Sequence, residues 1–466
     1  MIKNKRLGIL ITDGVGYRNF IHSSFLRVAS AQMESITIFS CIPLTAFNEV
    51  KFDNVNIVEI IEAKETFITW FFRKYKEVAH LQKNKVNNKG IQSNLQKNYS
   101  NSTSIRGIIT RLIFFISNYF HSEEIIHLCQ KFQEYSIFKN KVLKEYRLQL
   151  IQAKPEIIFV THQRPPYIAP FIYVCKQLQL KTITFIFSWD NLSSKGRMAS
   201  NFNFYFVWSE LMKNELLKYY PKLKKDQIFI VGTPQFESYV NDDFASTKES
   251  FWRTYNLNQD LKTICYSCGD ISTSKNDELY IETIANLISS NKIPEINFIV
   301  RTSPAEDGSR FSKLIVKYPD IKWNFPKWEL VRSSHQESWS QRIPLKEDVK
   351  DLRALIEFSD LNINMLSTMS LDFMCFDKPV INPVFGNLEN GLYNDQKFLF
   401  YEHIQNVIQS KSTKIVKSEE ELTHAINMYL NDSSLDSVQR KSFLKLQIGK
   451  ELNDCCQEMV ENLLQI

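Results

Sequence analysis

Short apolar runs recur along the chain, each followed by a polar or glycine-bearing turn and then by apolar residues at helical spacing. Leu7 to Thr12 is the first such run and predicts a buried strand. Gly14 and Gly16 mark a turn, and Phe20, Phe25, Leu26 and Val28 then keep helical spacing. ESITIFSCIP supplies the next strand, so the chain opens as β-turn-α-β. The turn GVGYRN lacks the dinucleotide fingerprint. Its glycines serve either a tight turn or a close approach on the acceptor side.

The rhythm breaks from about Glu62 to about Arg147, where TWFFRKYKEVAHLQKNKVNNKG and RGIITRLIFFISNYF predict helices around a polar loop at about Asn84 to Ser104. It resumes at KPEIIFVTHQRPP, followed by a helix, the strand KTITFIFSWDN, the strand NFNFYFVWS, another helix and QIFIVGTP. GTPQFESYVNDDFASTKES has no apolar period and reads as a linker. A second α/β series starts at LKTICYSCGD and continues through INFIVRTSP, a polar segment with Trp323, Trp328 and Trp339, DLNINML, STMSLDFMCFD and KPVINPVFG, before a helical tail.

Alternating strands and helices predict parallel sheets, and in such sheets ligands lie beyond the carboxyl ends of the strands. The expected class is α/β, with two Rossmann-like domains facing across a cleft. The expected boundaries are residues 1–235 for an acceptor domain carrying a helical insertion at about 62–150, and 236–250 for the linker. A nucleotide-donor domain follows at 251–440, then a C-terminal helix at 441–466 that crosses back over the first domain.

Composition narrows the function. The chain has 466 residues, 44% hydrophobic and 23% charged, with a net charge of +6. These are the proportions of a globular protein able to bury large cores. The mild positive charge permits phosphate-bearing ligands and anionic membrane surfaces, and no nucleic-acid signature accompanies it. The eight cysteines sit largely in apolar runs, which predicts reduced, buried thiols. Cys265 and Cys268 have C-x-x-C spacing, but no second pair lies at zinc spacing, and no metal cluster or D-x-D motif is found. The start, MIKNKRLGILITDG, has too short an apolar core for a secretory signal, so a cytoplasmic location is expected, at the inner face of the membrane if the insertion docks there.

Between Lys64 and Arg111, about ten basic residues face about two acidic ones, interleaved with Trp70, Phe71, Phe72, Phe114 and Phe115. Either these helices pack on the core or they meet a membrane.

The densest candidate chemistry is SDLNINMLSTMSLDFMCFDKPVINPV. A strand is expected to end at Leu366 and a helix to start at Ser367 or Thr368. One hydroxyl suffices as a cap, yet Ser367, Thr368 and Ser370 crowd the same helix start. Free amides and hydroxyls there suit a diphosphate. Asp372 lies one turn on, placed for ribose hydroxyls. TFIFSWDNLSSKGRM, FIVRTSPAED and IFIVGTPQFES complete an ordered set of blocks.

These blocks resemble the GT-B glycosyltransferases, and among them the CDP-glycerol glycerophosphotransferase and surface-polysaccharide group. Ser367, Thr368 and Asp372 match its S-S-x-x-x-D, and Asp360 matches the first Asp, while Met365-Leu366 replaces its Asp-Tyr. Trp189, Lys195 and Gly196 match its W-H-G-T-P-L-K-x-x-G, with Asp190 at the catalytic His and Asn191 at the next Gly. Arg301, Ser303 and Pro304 stand at its K-x-H-P, and Gln235 replaces the Arg of its G-x-P-R. The resemblance implies direct, inverting transfer from a nucleotide-activated sugar to a surface-glycan or lipid-linked acceptor, without cofactor or metal.

On this reading Asp190 is the base, unless it only caps its turn. His162, after EIIFVT, and Asp13, in ITDG, are the alternative bases. Arg301 is expected to grip a phosphate, unless it forms an ion pair. Gly269 and Lys275, in the first loop of the second domain, join Ser303 on the donor side. Gly14, Gly16, Trp189, Asn191 and Lys195 lie on the acceptor side. The rivals are a nucleotide-sugar 2-epimerase, which needs further acid-base residues, and a non-catalytic glycan-binding or scaffold protein.

Overall fold

The computed structural model describes residues 5–332 and 341–466; the first residues of the start and Trp339 lie outside them. The chain divides into two compact units. One comprises Met1–Pro234, Leu330–Ile343 and Gly449–Ile466, and the other Gln235–Glu329 and Pro344–Ile448.

The first unit is built on strands β1 (Arg6–Ile11), β2 (Ser35–Ser40), β3 (Val55–Glu59), β4 (Ile157–Val160), β5 (Lys181–Phe185), β6 (Phe204–Val207) and β7 (Ile228–Ile230). They form one sheet in the order β3-β2-β1-β4-β5-β6-β7. Its pairs are parallel, with Leu7 opposite Ile157 and Leu10 opposite Val160. Helices cover both faces of such a sheet, which is why its strands are apolar throughout and not alternating. Leu10, Ile11, Ile158, Phe159 and Val160 are all sealed from solvent. Phe20, Phe25, Phe159 and Phe185 meet edge-on or tilted in the layer above. The last helix, Cys455–Gln465, is part of this unit and buries Met459, Val460 and Leu463. Strand order reverses between β1 and β4, and this reversal decides where a ligand crevice opens.

Between β3 and β4 the described residues hold five helices: Phe67–Asn84, Lys89–Asn98, Ile105–Ser117, Glu123–Ile137 and Leu143–Ala153. Phe67–Asn84 is the hub, and its Tyr75, Val78 and Ala79 pack with Ile113, Ile126 and Cys129 of its neighbours. The stretch expected as a polar loop at Asn84 to Ser104 instead contains a helix. Asn88 caps it by accepting from the Ile91 amide, and anchors it by donating to the Ser193 carbonyl and the Tyr219 hydroxyl. Ile91 is fully buried beneath it. A packed helical insert describes four of the five singled-out aromatics: Trp70 is buried, and Phe71, Phe72 and Phe114 pack against the cluster.

The second unit carries β8 (Thr263–Ser267), β9 (Asn297–Arg301), β10 (Lys322–Asn324), β13 (Leu361–Ile363), β14 (Val380–Pro383) and β15 (Lys414–Val416), in the parallel order β10-β9-β8-β13-β14-β15. A separate ribbon pairs β11 (Trp328–Leu330) with β12 (Arg342–Pro344). The reversal here lies between β8 and β13. Asn362 joins these two strands by donating to the Cys265 carbonyl and to Ser267 Oγ. The segment read as a linker is ordered, with short 3-10 turns at Pro234–Tyr239 and Asp242–Phe244 that bury Phe236, Tyr239 and Phe244.

Candidate functional site

In the first unit, the ends of β1 and β4 bring Asp13 and His162 together. Asp13 follows the Ile9–Ile11 core run and caps the helix Gly14–Ile21, its Oδ1 accepting from the amides of Val15 and Gly16 at 3.1 and 2.9 Å. Its Oδ2 accepts from Thr12 Oγ1 at 2.7 Å and lies 2.8 Å from His162 Nδ1. Burial alone would raise this carboxyl. The hydrogen bond and charge of His162, with the Gly16 amide and the Thr12 hydroxyl, hold it below the usual range instead. An ionised carboxylate only accepts, so Nδ1 carries the hydrogen, and in the neutral imidazole Nε2 is then the acceptor.

The imidazole is stacked on Phe187, at the end of β5, with ring centres 4.0 Å apart and planes within 13°. Gly16 permits this arrangement: a Cβ there would lie 2.8 Å from Thr161 Oγ1, next to His162.

His162 lines a cavity of about 330 Å3 with Arg73, Glu77, Arg164, Phe187, Asn191 and Arg197. Two of the three guanidinium groups are already paired. Arg73 binds Glu65 through Nε and Nη2 at 2.6 and 2.9 Å. Arg197 binds Glu123 at 2.6 Å and lies over the Tyr220 ring. Arg164 forms no hydrogen bond or ion pair with any described residue, so its charge is available to a ligand.

The insertion shapes this wall. Lys76, fully buried, donates to Gln130 Oε1 and to the carbonyls of Met198 and Ala199, and burial among positive neighbours pushes it down to about 7. Gly196 lies against Glu77, where a Cβ would approach within 2.6 Å.

Asp190 lies in the neighbouring loop, where its carboxylate accepts from Ser188 Oγ at 2.8 Å, Asn191 Nδ2 at 3.1 Å and Ser194 Oγ at 3.2 Å, with Lys195 Nζ at 3.4 Å. This is the geometry of a turn-fixing residue. Of the acceptor-side residues, Asn191 reaches the cavity and is held by Gln163 Nε2 at 3.0 Å. Trp189 is buried, Lys195 is paired with Asp190, and Gly14 and Gly16 shape the helix that Asp13 caps.

In the second unit, Arg301 forms the ion pair that was the alternative to a phosphate role. It is 5% exposed, Nη2 pairs with both oxygens of Asp348 at 3.2 and 3.0 Å, and Nη1 donates to Asn324. Asp348 also accepts from the Lys327 amide and from Trp328 Nε1. A guanidinium paired this way braces β9.

Asp372, placed by the sequence for ribose hydroxyls, is 5% exposed and accepts from the Tyr239 hydroxyl. Ser370 is buried in a network with Asn364 and Asn382. The strand ends at Ile363, and the helix is the short Met369–Met374, preceded by Leu366 at φ 50. Ser367 and Thr368 remain half-buried at that bend, Ser367 Oγ accepting from the Met369 amide. Ser303 Oγ accepts from the Ala305 amide. The Gly269 amide donates to buried Asp277, while exposed Lys275 lies over the Tyr393 ring, which Lys397 also approaches. Cys265 and Cys268 are buried, and burial raises both thiols.

Sequence reasoning singled out His162 and Asp13 separately but not their pairing, and it missed Arg164, Glu77 and Lys76. Arg164 was legible as the charged residue of the strand-end loop THQRPP. Glu77 and Lys76 sit in the insertion, far from any strand end, and only the packing of Phe67–Asn84 brings them in.

No protein-family model and no curated protein matches the chain. Solved structures do. A UDP-GlcNAc 2-epimerase from Neisseria meningitidis, bound to UDP-GlcNAc, has a TM-score of 0.53 at 11% identity, over 99% of this chain and 100% of that one. A putative UDP-N-acetylglucosamine 2-epimerase from Listeria monocytogenes has a TM-score of 0.56 at 8% identity, over 99% and 96%. A glycosyltransferase from Rickettsia africae has a TM-score of 0.50 at 12% identity, over 100% and 98%. At these identities the likeness is one of fold, and the chain has the GT-B fold of two parallel-sheet α/β domains.

Proposed function

We propose that this protein is a nucleotide-sugar enzyme that transfers a sugar from a nucleotide-activated donor to a hydroxyl of a surface-glycan or lipid-linked acceptor. The observation that carries the reading is the His162–Asp13 pair at the strand-order reversal of the first unit. His162 Nε2 takes the acceptor hydroxyl proton as that oxygen bonds to the anomeric carbon. The bond from that carbon to the diphosphate breaks, and its electron pair leaves with the nucleoside diphosphate. Asp13 fixes the imidazole and stabilises the imidazolium that forms; the proton transfer by His162 is worth roughly a hundredfold to ten-thousandfold in rate.

In this proposal Arg164 steadies a negative group of the bound substrate. Ser367, Thr368 and Lys275 are the donor-side contacts, and the transfer is inverting and needs no metal, as in the CDP-glycerol and surface-polysaccharide group that the Trp189 and Ser367 blocks resemble. His162 takes the place that the resemblance gave to Asp190. The test is a panel of nucleotide sugars with cell-derived acceptors, read as nucleoside diphosphate release. Release lost in His162→Gln supports the reading, and silence across the panel removes it.

A second reading, epimerisation of the nucleotide sugar, draws on Glu77, a carboxylate that lines the same cavity as His162. Incubation in deuterated water separates the two: deuterium entering the recovered sugar without any acceptor favours the epimerase.

A further inference from the structure

The helix Ile105–Ser117 is apolar on two sides. Toward the core it buries Gly107, Thr110, Ile113 and Ser117, and packs Ile109, Phe114 and Ile116 against the neighbouring helices. Toward solvent it presents Ile105 at 72% exposure, Ile108, Leu112 and Phe115 at 67%, and the chain continues into exposed Tyr119 and Phe120. At 100° per residue, positions 105, 108, 112 and 115 fall on one stripe. Leu128, Phe132 and Tyr135 of the next helix are exposed as well. Single exposed apolar side chains need no explanation, whereas a continuous stripe marks an interaction surface.

Charge says what meets it. From Val78 to Ser122 there is no Asp or Glu, against six Lys and Arg. Lys89 and Lys97 are exposed, and Arg106 lies beside the stripe, over the Trp70 ring. Large apolar and aromatic side chains beside an all-cationic segment complement an anionic lipid surface. No described helix is long and apolar enough to cross a membrane, so the stripe lies in the interface plane.

We infer that the Ile105–Phe120 stripe is a docking face for anionic phospholipid bilayers. The residues differ from those expected from composition, since only Phe115 of the five singled-out aromatics is strongly exposed. The other side of the same layer bears on the cavity: Ile113 packs on Phe67–Asn84, which carries Arg73 and Glu77 to the His162 wall. Docking through this face holds that wall about two helix layers from lipid.

The test is co-sedimentation of the full chain with phosphatidylcholine vesicles, with and without phosphatidylglycerol. The wild type is expected to pellet with the anionic vesicles and to be released by salt. Leu112→Glu with Phe115→Glu should weaken this at least tenfold at an unchanged melting temperature; Ile108→Ser serves if the double variant does not fold. No pelleting, equal pelleting with neutral vesicles, or unaltered pelleting of the variants overturns the inference. So does a self-associated wild type whose dimer, not its vesicle binding, is lost on substitution, because a second copy then covers the stripe. None of these outcomes depends on the transfer reaction.

Discussion

Asp13 accepts from His162 Nδ1 at 2.8 Å across the junction of β1 and β4, and the same carboxylate caps the helix that follows β1. One residue therefore fixes both the helix entry and the imidazole tautomer. The cap makes the carboxylate immobile and ionised, and an immobile, ionised partner is what turns a histidine into an oriented base. The arrangement separates the roles of three candidate residues.

His162→Gln should lower kcat by at least about a hundredfold, as expected for loss of a general base. Asp13→Asn should lower kcat and also lose stability, because the cap is shared; a cap alone is worth about 1 kcal/mol. Asp190→Ala should lower the melting temperature with kcat within about tenfold of wild type, since each lost hydrogen bond costs about 1 kcal/mol and no proton transfer is touched. Steady-state kinetics with parallel thermal melts checks all three. A dead Asp190→Ala beside an active His162→Gln reverses the assignment.

Arg164 is the guanidinium in the cavity without a hydrogen bond or ion pair to any described residue. Arg164→Gln should therefore raise KM at least about tenfold at unchanged stability, the loss of one charge-assisted contact being about 1.5–3 kcal/mol. Arg73→Gln should destabilise instead, because Glu65 is left behind. Titration calorimetry and melting curves on the two variants distinguish a ligand contact from a brace.

The Arg301–Asp348 pair should behave as structure. Asp348→Ala leaves a buried guanidinium uncompensated and is expected to cost about 3–5 kcal/mol. Arg301→Met with Asp348→Leu should recover much of that loss, because neither buried charge then remains. Urea unfolding measures both. An Arg301→Met protein of wild-type stability that has lost nucleotide affinity would restore the phosphate role.

Lys76 makes stability depend on pH. Its pKa falls from 10.5 in the unfolded chain to about 7 in the fold. Between these values the unfolded chain binds more protons, so stability rises with pH across the window and is lost as pH falls toward 7. One such group contributes a slope of at most about 1.4 kcal/mol per pH unit. Lys76→Met should flatten the stability profile between pH 7 and 10 relative to wild type; parallel profiles would show that Lys76 titrates normally.

Much of the fold was legible from periodicity. Leu7–Thr12, EIIFVT, KTITF and NFNFYFV all read as strands because parallel sheets bury both faces. Strand β3, half-buried at the sheet edge, lacks that continuous apolar run and escaped notice. The helix Lys89–Asn98 escaped too, since only Ile91 and Gly90 are buried and its stability comes from Asn88 binding distant Ser193 and Tyr219. In the site, His162 and Asp13 were visible as polar residues at strand ends. Arg301 and Asp372 looked equally suited to ligands, and nothing local distinguished them from residues that bind Asp348 and Tyr239.

By itself the sequence determined the alternation of buried strands and helices, and with it two parallel sheets whose strand ends carry the polar loops. Those properties follow from local spacing and hydrophobic burial, which each segment carries alone. Only the tertiary structure decided which polar side chains remain available. That outcome depends on strand order, which sets His162 beside Asp13 across 149 residues. It depends equally on desolvation, which forces each buried charge to find a partner and so commits Arg301 to Asp348, while Arg164 has no hydrogen bond or ion pair among the described residues.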